Sequence, residues 1–443
     1  MKESHYIHLL KRAQLGVSPN QLQNIPKSRK TAVDNLFNKA EIKSLSIDYS
    51  DISFTNMQKL SPQERMKWQK MNREKLQEFN LVWFNRMASD HQNIQERMVL
   101  FWANHFVASS KNIKHAVQYN NLLREHALGN FREFVLAVSK DAAMIQYLDN
   151  NKNKKEAPNE NYARELMELF TLGRDVLYTE SDIKQAARAF TGWKATPDGR
   201  FLVAKRQHDE GEKVFLGKRG NFSGEDIVNI ILENKECAQF ICTKVYKEFV
   251  SENVDAARVK ELSEVLYANY DIEELMRYLF SAKWFYNEAN IASKIKSPLE
   301  AMVSMYALMP YQIKKSKQLM SMQRVMGQVL LNPPNVAGWP GGQSWIDSNT
   351  LMYRMRMASI LYQGGVIDSD SDMASMERSK GREKVTVSVD WSYLDQLFQL
   401  SNRQQAILLF GKQLSDEVYA LVNDTKPKDK LVKMLSVPDF QMC

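Results

Sequence analysis

Apolar residues recur at three- and four-residue intervals along most of the chain, the spacing of helix faces, and strict alternation is rare. Ser61-Pro62-Gln63-Glu64 is a capping box with proline in the first helical position, so it predicts the start of a long helix carrying Trp68, Leu76, Phe79, Val82 and Trp83. Over 95–109, Met98, Val99, Leu100, Phe101, Trp102, Phe106 and Val107 surround the helix axis instead of forming one stripe, which predicts a deeply buried helix. Further helices are expected over 116–128, with a break at Gly129-Asn130, then over 131–139 and 142–148. Thr179-Glu180-Ser181-Asp182 caps another, ending at Gly192-Trp193, and helices resume over 224–330, 394–421 and 430–435. The short apolar runs 201–204 and 213–216 read as one small hairpin. Residues 24–60 are polar and weakly periodic, and 364–384 is rich in Ser, Asp, Lys and Gly, so it reads as a disordered insert. The expected fold is all-α, a single large multi-helix domain over 1–443 with at most a small β-hairpin near 201–216.

Composition agrees. With 443 residues and 44% hydrophobic content the chain can bury a large core, and only 17 Gly and 12 Pro favour helices over a turn-rich sandwich. Sixty basic against 52 acidic residues give +8 spread over the whole length. The short runs Lys314, Lys315, Lys317 and Lys380, Arg382, Lys384 read as solvated faces, so nucleic acid is not expected as a partner. Cys237, Cys242 and Cys443 are too few and too ill-spaced for a disulfide framework or a zinc site. No stretch of 18 uninterrupted apolar residues occurs and Met1 to Tyr6 has no apolar h-region, so neither a membrane span nor export is signalled and the cytoplasm is the default compartment.

Candidate chemistry concentrates in Ala157-Pro158-Asn159-Glu160-Asn161-Tyr162-Ala163-Arg164-Glu165-Leu166-Met167-Glu168-Leu169-Phe170-Thr171-Leu172-Gly173. Pro158 and Asn159 offer a helix start and Gly173 a left-handed stop. At about 100° per residue, Leu166, Leu169, Phe170 and Gly173 share the side of Tyr162, and Asn161, Glu165 and Glu168 form the next stripe. Glu160 and Arg164, spaced i,i+4, lie opposite. Glu160, Arg164 and Glu168 read most simply as a solvated face, whereas Asn161 and Glu165, beside the core boundary, should need partners. Asn104 and His105, in the buried helix, must also find partners; His105 is either a satisfied core histidine or a site residue facing the 159–168 helix. His208 and Asp209 have the residue types for proton transfer, without a visible nucleophile. The polar loop 149–155 lacks EF-hand spacing, so neither metal nor cofactor is expected. Finally, three prolines and three glycines in 332–345 forbid a helix. Trp339 and Trp345 should fold that loop inward, as a rigid clamp or as the wall of a ligand pocket.

Several blocks together carry a resemblance: His8-Leu9-Leu10-Lys11-Arg12; Leu100-Phe101-Trp102-Ala103-Asn104-His105-Phe106; Arg124 onward to Arg132; Asn159 onward to Gly173; Ala186 onward to Trp193; His208-Asp209; and Asn332 onward to Trp345. In these, and in their order, the chain resembles the bacterial family known as domain of unknown function 1800. Where relatives commonly carry a histidine after the tryptophan of the second block this chain has Ala103, which puts in doubt any role needing two histidines there. Many relatives also carry an export signal, so the compartment does not transfer with the resemblance. The family is often encoded beside another that looks like sulfatases and alkaline phosphatases, which implies a partner of that kind.

Two functions compete. In one the protein is a binding or accessory component whose ligand contacts come from Asn104, Asn159, Glu160, Asn161, Arg164, Trp193, Asn335, Trp339 and Trp345. In the other it is a hydrolytic enzyme with Glu165 as acid or base beside His105, with His208 and Asp209 as further catalytic candidates. The first is favoured because no recognisable nucleophile, metal cage or phosphate loop is present. Both expect these distant groups to meet at one interior centre.

Overall fold

Side-chain caps open most of the helices, and the strongest of them lie where the sequence places them. The computed structural model describes residues 1–38, 43–54, 60–174, 176–367, 383–413 and 426–443. The chain begins with α1 (Glu3–Ala13) and α2 (Arg29–Leu36), followed by α3 (Pro62–Ser89). At the start of α3 the Ser61 hydroxyl accepts the Glu64 amide and the Glu64 carboxylate accepts the Ser61 amide at 2.8 Å, the reciprocal bonding of a capping box. Next comes α4 (Ile94–His105), buried on every side: Met98 and Trp102 are fully enclosed, and so, within a few per cent, are Glu96, Arg97 and His105.

Packed on α4 is α5 (Ile113–His126), whose Arg124 grips Glu96 with two bonds of 2.6 and 3.0 Å inside the core. Asn130 caps α6 (Phe131–Lys140) and Asp141 caps α7 (Ala142–Tyr147). The central segment opens as α8 (Asn161–Glu165) but continues as a π-helical turn over Leu166–Thr171 before Gly173 stops it at φ +89°. After it come α9 (Glu180–Ala189), capped by Thr179, and two hairpins: β1 (Trp193–Ala195) with β2 (Phe201–Val203), and β3 (Lys213–Phe215) with β4 (Lys218–Gly220).

The second half stacks α10 (Gly224–Leu232), α11 (Lys235–Phe249), α12 (Ala256–Asn269) and α13 (Ile272–Ser281), each against the next. It continues through α14 (Pro298–Leu308), β5 (Tyr311–Ile313), α15 (Ser316–Val325), which packs on α3, and α16 (Ser348–Gln363). The pair β6 (Val366–Ile367) and β7 (Glu383–Lys384) precedes β8 (Val387–Val389), which returns to β5. Short α17 (Leu394–Phe398), α18 (Asn402–Phe410) and α19 (Pro427–Leu435) close the chain. One core cluster runs from Tyr6 to Phe440. No helix among the described residues is long and apolar enough to cross a membrane.

The mostly helical class is as expected, with local differences. The runs 201–204 and 213–216 do not pair with each other. Leu216 and Gly217 both take positive φ (45° and 76°), the two-residue turn that suits a tight hairpin, so 213–215 folds back on 218–220, while 201–203 returns to 193–195. The β5–β8 pairing has no local signal at all. Within 24–60, α2 contributes Ala32, Val33 and Leu36 to the core, Leu45 and Ile52 are buried, and Asn121 bonds both the amide and the carbonyl of Leu45 at 2.8 Å, so the described parts are more constrained than their polarity suggests. The interior of the expected insert, 368–382, and the 414–425 part of the expected 394–421 helix lie outside the described residues.

Removing one partner from the enclosed Arg124–Glu96 pair strands the other charge. Glu96→Leu should therefore lower stability by about 3–5 kcal/mol, and a Glu96→Leu/Arg124→Leu double variant should recover much of that loss, in urea denaturation followed by tryptophan fluorescence.

Candidate functional site

A sizeable cavity forms where α4 faces α11. Lys244, Lys247 and Glu248 are spaced i, i+3 and i+4, so helix geometry puts them on one face of α11. Opposite stand Arg97, Asn104 and His105 of α4, the stretch 294–297 supplies Lys294 and Ser297, and α14 adds Glu300. Residues 337–345 line one side, and the cavity volume is about 450 Å³.

The floor of this cavity is an ion network. Arg97 Nη2 lies 2.6 Å from Glu248 and 2.9 Å from Glu300, and Lys294 Nζ lies 3.0 and 3.5 Å from the same two carboxylates. Burial alone would raise the Glu300 carboxyl. Arg97 and Lys294, with bonds from Ser297, outweigh it and hold the group well below the usual carboxylate range. Arg97 is likewise opposed by burial, yet Glu300 and Glu248 keep it charged. Glu300 is also the reciprocal member of the α14 capping box, accepting the Ser297 amide at 2.6 Å while the Ser297 hydroxyl accepts the Glu300 amide.

On the wall, His105 Nε2 faces the Phe170 carbonyl at 3.0 Å, which assigns the proton to Nε2 and leaves Nδ1 to accept from Lys244 Nζ at 3.2 Å. A second Lys244 bond, 3.0 Å, goes to the Leu169 carbonyl. Both carbonyls belong to the π-helical turn, where the shift to i→i+5 bonding ends the segment and leaves late carbonyls for side chains to satisfy. Burial, and then the neighbouring Lys244, push His105 far down, so it is neutral. Burial, aided by Lys247, brings Lys244 down to about 8.

Asn104 grips the 332–345 loop as one strand grips another. Its Oδ1 accepts the Trp339 amide at 2.7 Å and its Nδ2 donates to the Trp339 carbonyl at 3.3 Å. Such closeness requires Gly338, at φ +88°, because a Cβ there would lie 2.3 Å from Asn104 Oδ1. Trp339 and Trp345 are both 5% exposed, so the loop does fold inward; Trp345 lines the cavity, and Trp339 turns away into a second, smaller chamber. Asn335 is exposed and shapes the loop by accepting the Ala337 amide at 2.9 Å.

The other expected residues lie elsewhere, so the single common centre does not form: among the described residues, neither Glu165 nor His208 lines the cavity with His105. Arg164 spans Glu160, Glu168 and Glu180 at 3.1, 3.5 and 2.7 Å in a partly solvated cluster, with Arg174 on Glu168. Asn161 is exposed instead of partnered at a core boundary, because Asn159 Oδ1 accepts its amide and the chain enters the helix from the surface. The π turn breaks the 100° register beyond Glu165, so the expected stripe does not continue. Glu165 is half-buried, its carboxyl raised by burial and by Glu168.

His208 and Asp209 form no dyad. His208 Nδ1 lies 2.7 Å from the Thr191 carbonyl, and Asp209 is clamped by Arg188 at 2.7 and 3.2 Å. Burial would raise Asp209, but Arg188 and the Gly211 amide bring it below the ordinary carboxylate value. Trp193 is core, set edge-on against Phe190 and Phe201. Among the described residues no three His, Cys, Asp or Glu gather as metal ligands would.

Six cavity residues escape a periodicity reading: Arg97, Lys244, Lys247, Glu248, Lys294 and Glu300. A signal existed for two of them. Arg97 is a charge inside a run that is apolar all round, and Ser297-Pro298-Leu299-Glu300 repeats the capping-box pattern of 61–64. The α11 residues carry no mark that separates them from a solvated face.

A family model described as a protein of unknown function (DUF1800) matches residues 8–442. No curated protein and no solved structure matches the chain.

Lys244 should titrate with a midpoint near 8, as read from its Cε resonance in lysine-labelled protein. In the unfolded chain it keeps about 10.4, so between those values the folded state binds fewer protons and stability rises with pH on this residue's account. Lys296, also lowered by burial to about 8, contributes a similar rise, so the comparison with Lys244→Met isolates the Lys244 share.

Proposed function

Since the chain belongs to the DUF1800 family, whose function is unknown, we propose from its geometry that the protein acts by binding, as an accessory component and not as a hydrolase. The cavity beside α11 is the ligand site, and its ligand carries an anionic end held by Lys244 and Lys247. One observation carries this reading: four cavity-lining side chains that could move protons or attack are already engaged. His105 uses both nitrogens, Ser297 caps α14, and Glu248 and Glu300 are neutralised by Arg97 and Lys294. What the wall still offers is donor capacity. Lys244 has two of its three hydrogens committed, and Lys247, one turn on and exposed, makes no ion pair among the described residues.

The implied neighbour is a protein of the sulfatase and alkaline-phosphatase type, whose substrates carry such an anionic end. The hydrolytic alternative retains one supporting fact, the raised carboxyl of Glu165, but that group does not line the cavity and has Glu168, Arg174, Arg164 and Tyr147 as charged or titratable neighbours.

Calorimetric titration with inorganic sulfate and phosphate tests the reading. The protein should bind at least one of them, Lys244→Met should weaken that binding on the order of tenfold or more, as loss of a charge-assisted bond implies, and Glu165→Gln should leave it unchanged. No heat with either anion, or a Glu165→Gln effect as large as that of Lys244→Met, would remove the assignment.

A further inference from the structure

Lys244 differs in its partners from the cations on the cavity floor. Arg97 and Lys294 each face the carboxylates of Glu248 and Glu300. Lys244, which lines the same cavity, makes no ion pair among the described residues. Its two bonds go to neutral acceptors, His105 Nδ1 at 3.2 Å and the Leu169 carbonyl at 3.0 Å. A largely buried ammonium without a carboxylate gives up hydration that such acceptors replace only in part, and the Phe240 ring, its centroid 4.8 Å from Nζ, is weak recompense.

An unprotonated amine keeps both contacts at no such cost. It carries two hydrogens, one for each acceptor, and a lone pair in the place of the ammonium's third hydrogen. Burial first, and Lys247 second, bring the group down to about 8, so at pH 7 about one amine in ten is unprotonated, against roughly one in a few thousand for an ordinary lysine. Desolvation and a neighbouring cation are the two means by which a lysine is made a nucleophile, and both act here. The side chain is partly exposed along the cavity wall, with Lys247 one turn on along the same helix face. His105, Ser297, Glu248 and Glu300 are engaged with their own partners, which leaves Lys244 as the wall group with a pair of electrons to offer.

We propose that Lys244 is an imine-forming amine and that the ligand of the cavity is an aldehyde or ketone bearing an anionic group. The anionic group rests on the reading given under Proposed function, with Lys247 holding it; the covalent step rests on the contacts of Lys244 alone. The Nζ lone pair attacks the carbonyl carbon, a C–N bond forms, and the carbonyl π pair moves to oxygen, which takes one proton from nitrogen. The C–O bond of this carbinolamine then breaks, the oxygen leaves as water with the second amine hydrogen, and the nitrogen pair closes the C=N bond. Both amine hydrogens end in one water molecule, so neither oxidant nor reductant is needed. Hydrolysis reverses the step, which makes it a capture of the ligand, in keeping with a protein that acts by binding.

Incubating the full chain with pyruvate or with dihydroxyacetone phosphate in the presence of cyanoborohydride, followed by peptide mass mapping, supplies the test. At least one of these ketones should leave its reduced adduct on Lys244 on the order of tenfold more than on the average exposed lysine, because far more of that amine is unprotonated. Lys244→Arg keeps a cation but offers no attacking amine, and should carry no adduct at that position while the labelling of exposed lysines persists. Should the variant fail to fold, the wild-type map decides by itself. Adduct spread evenly over exposed lysines, or none at Lys244 with either ketone, would overturn the proposal. Calorimetry of the wild-type chain with sulfate and phosphate separates the two readings. Heat without an adduct at Lys244 removes the imine and keeps the anion site, whereas an adduct at Lys244 without heat keeps the imine and removes the anionic group.

Discussion

A guanidinium enclosed in the middle of the structure sets the terms for much else. Arg97 sits on α4, the helix buried on every side, and a cation there is tolerated only when carboxylates are brought to it. Glu248 arrives from α11 and Glu300 from the first turn of α14, with Lys294 balancing the second negative charge. Helices separated by some 150 to 200 positions are thereby pinned against one another at their polar residues.

The π turn at Leu166–Thr171 is the second device that shapes this region. It presents the Leu169 and Phe170 carbonyls to α4 and α11, where Lys244 and His105 satisfy them. Arg164 and the glutamates of that segment form a partly solvated cluster joined to α9 through Glu180. Glu165 does not line the cavity that His105 lines.

The loop 332–345 works on two faces. Toward the cavity it presents Ala337, Pro340, Gly341, Gly342 and Trp345; away from it Trp339 lines a second, smaller pocket. Its backbone is fixed by Asn104, with Gly338 allowing a closeness to Asn104 that no Cβ would permit. Clamp and pocket wall, alternatives for a sequence alone, are here the same object.

The sequence by itself determined what depends on neighbours a few residues away. The capping boxes at Ser61, Thr179 and Ser297, the stop at Gly173, the all-round burial of α4 and the inward turn of the two tryptophans follow from local bonding and apolar spacing. Membership of a family is legible in the same way, from blocks of residues in order. The tertiary structure alone decided which polar groups meet. Lys244 and Lys247 are indistinguishable from surface lysines until α11 is laid against α4, and Glu165 is indistinguishable from a lining residue until the fold leaves it outside the cavity. A charge's partner is a matter of position in space, and helical periodicity records only which side a residue faces, never what stands opposite.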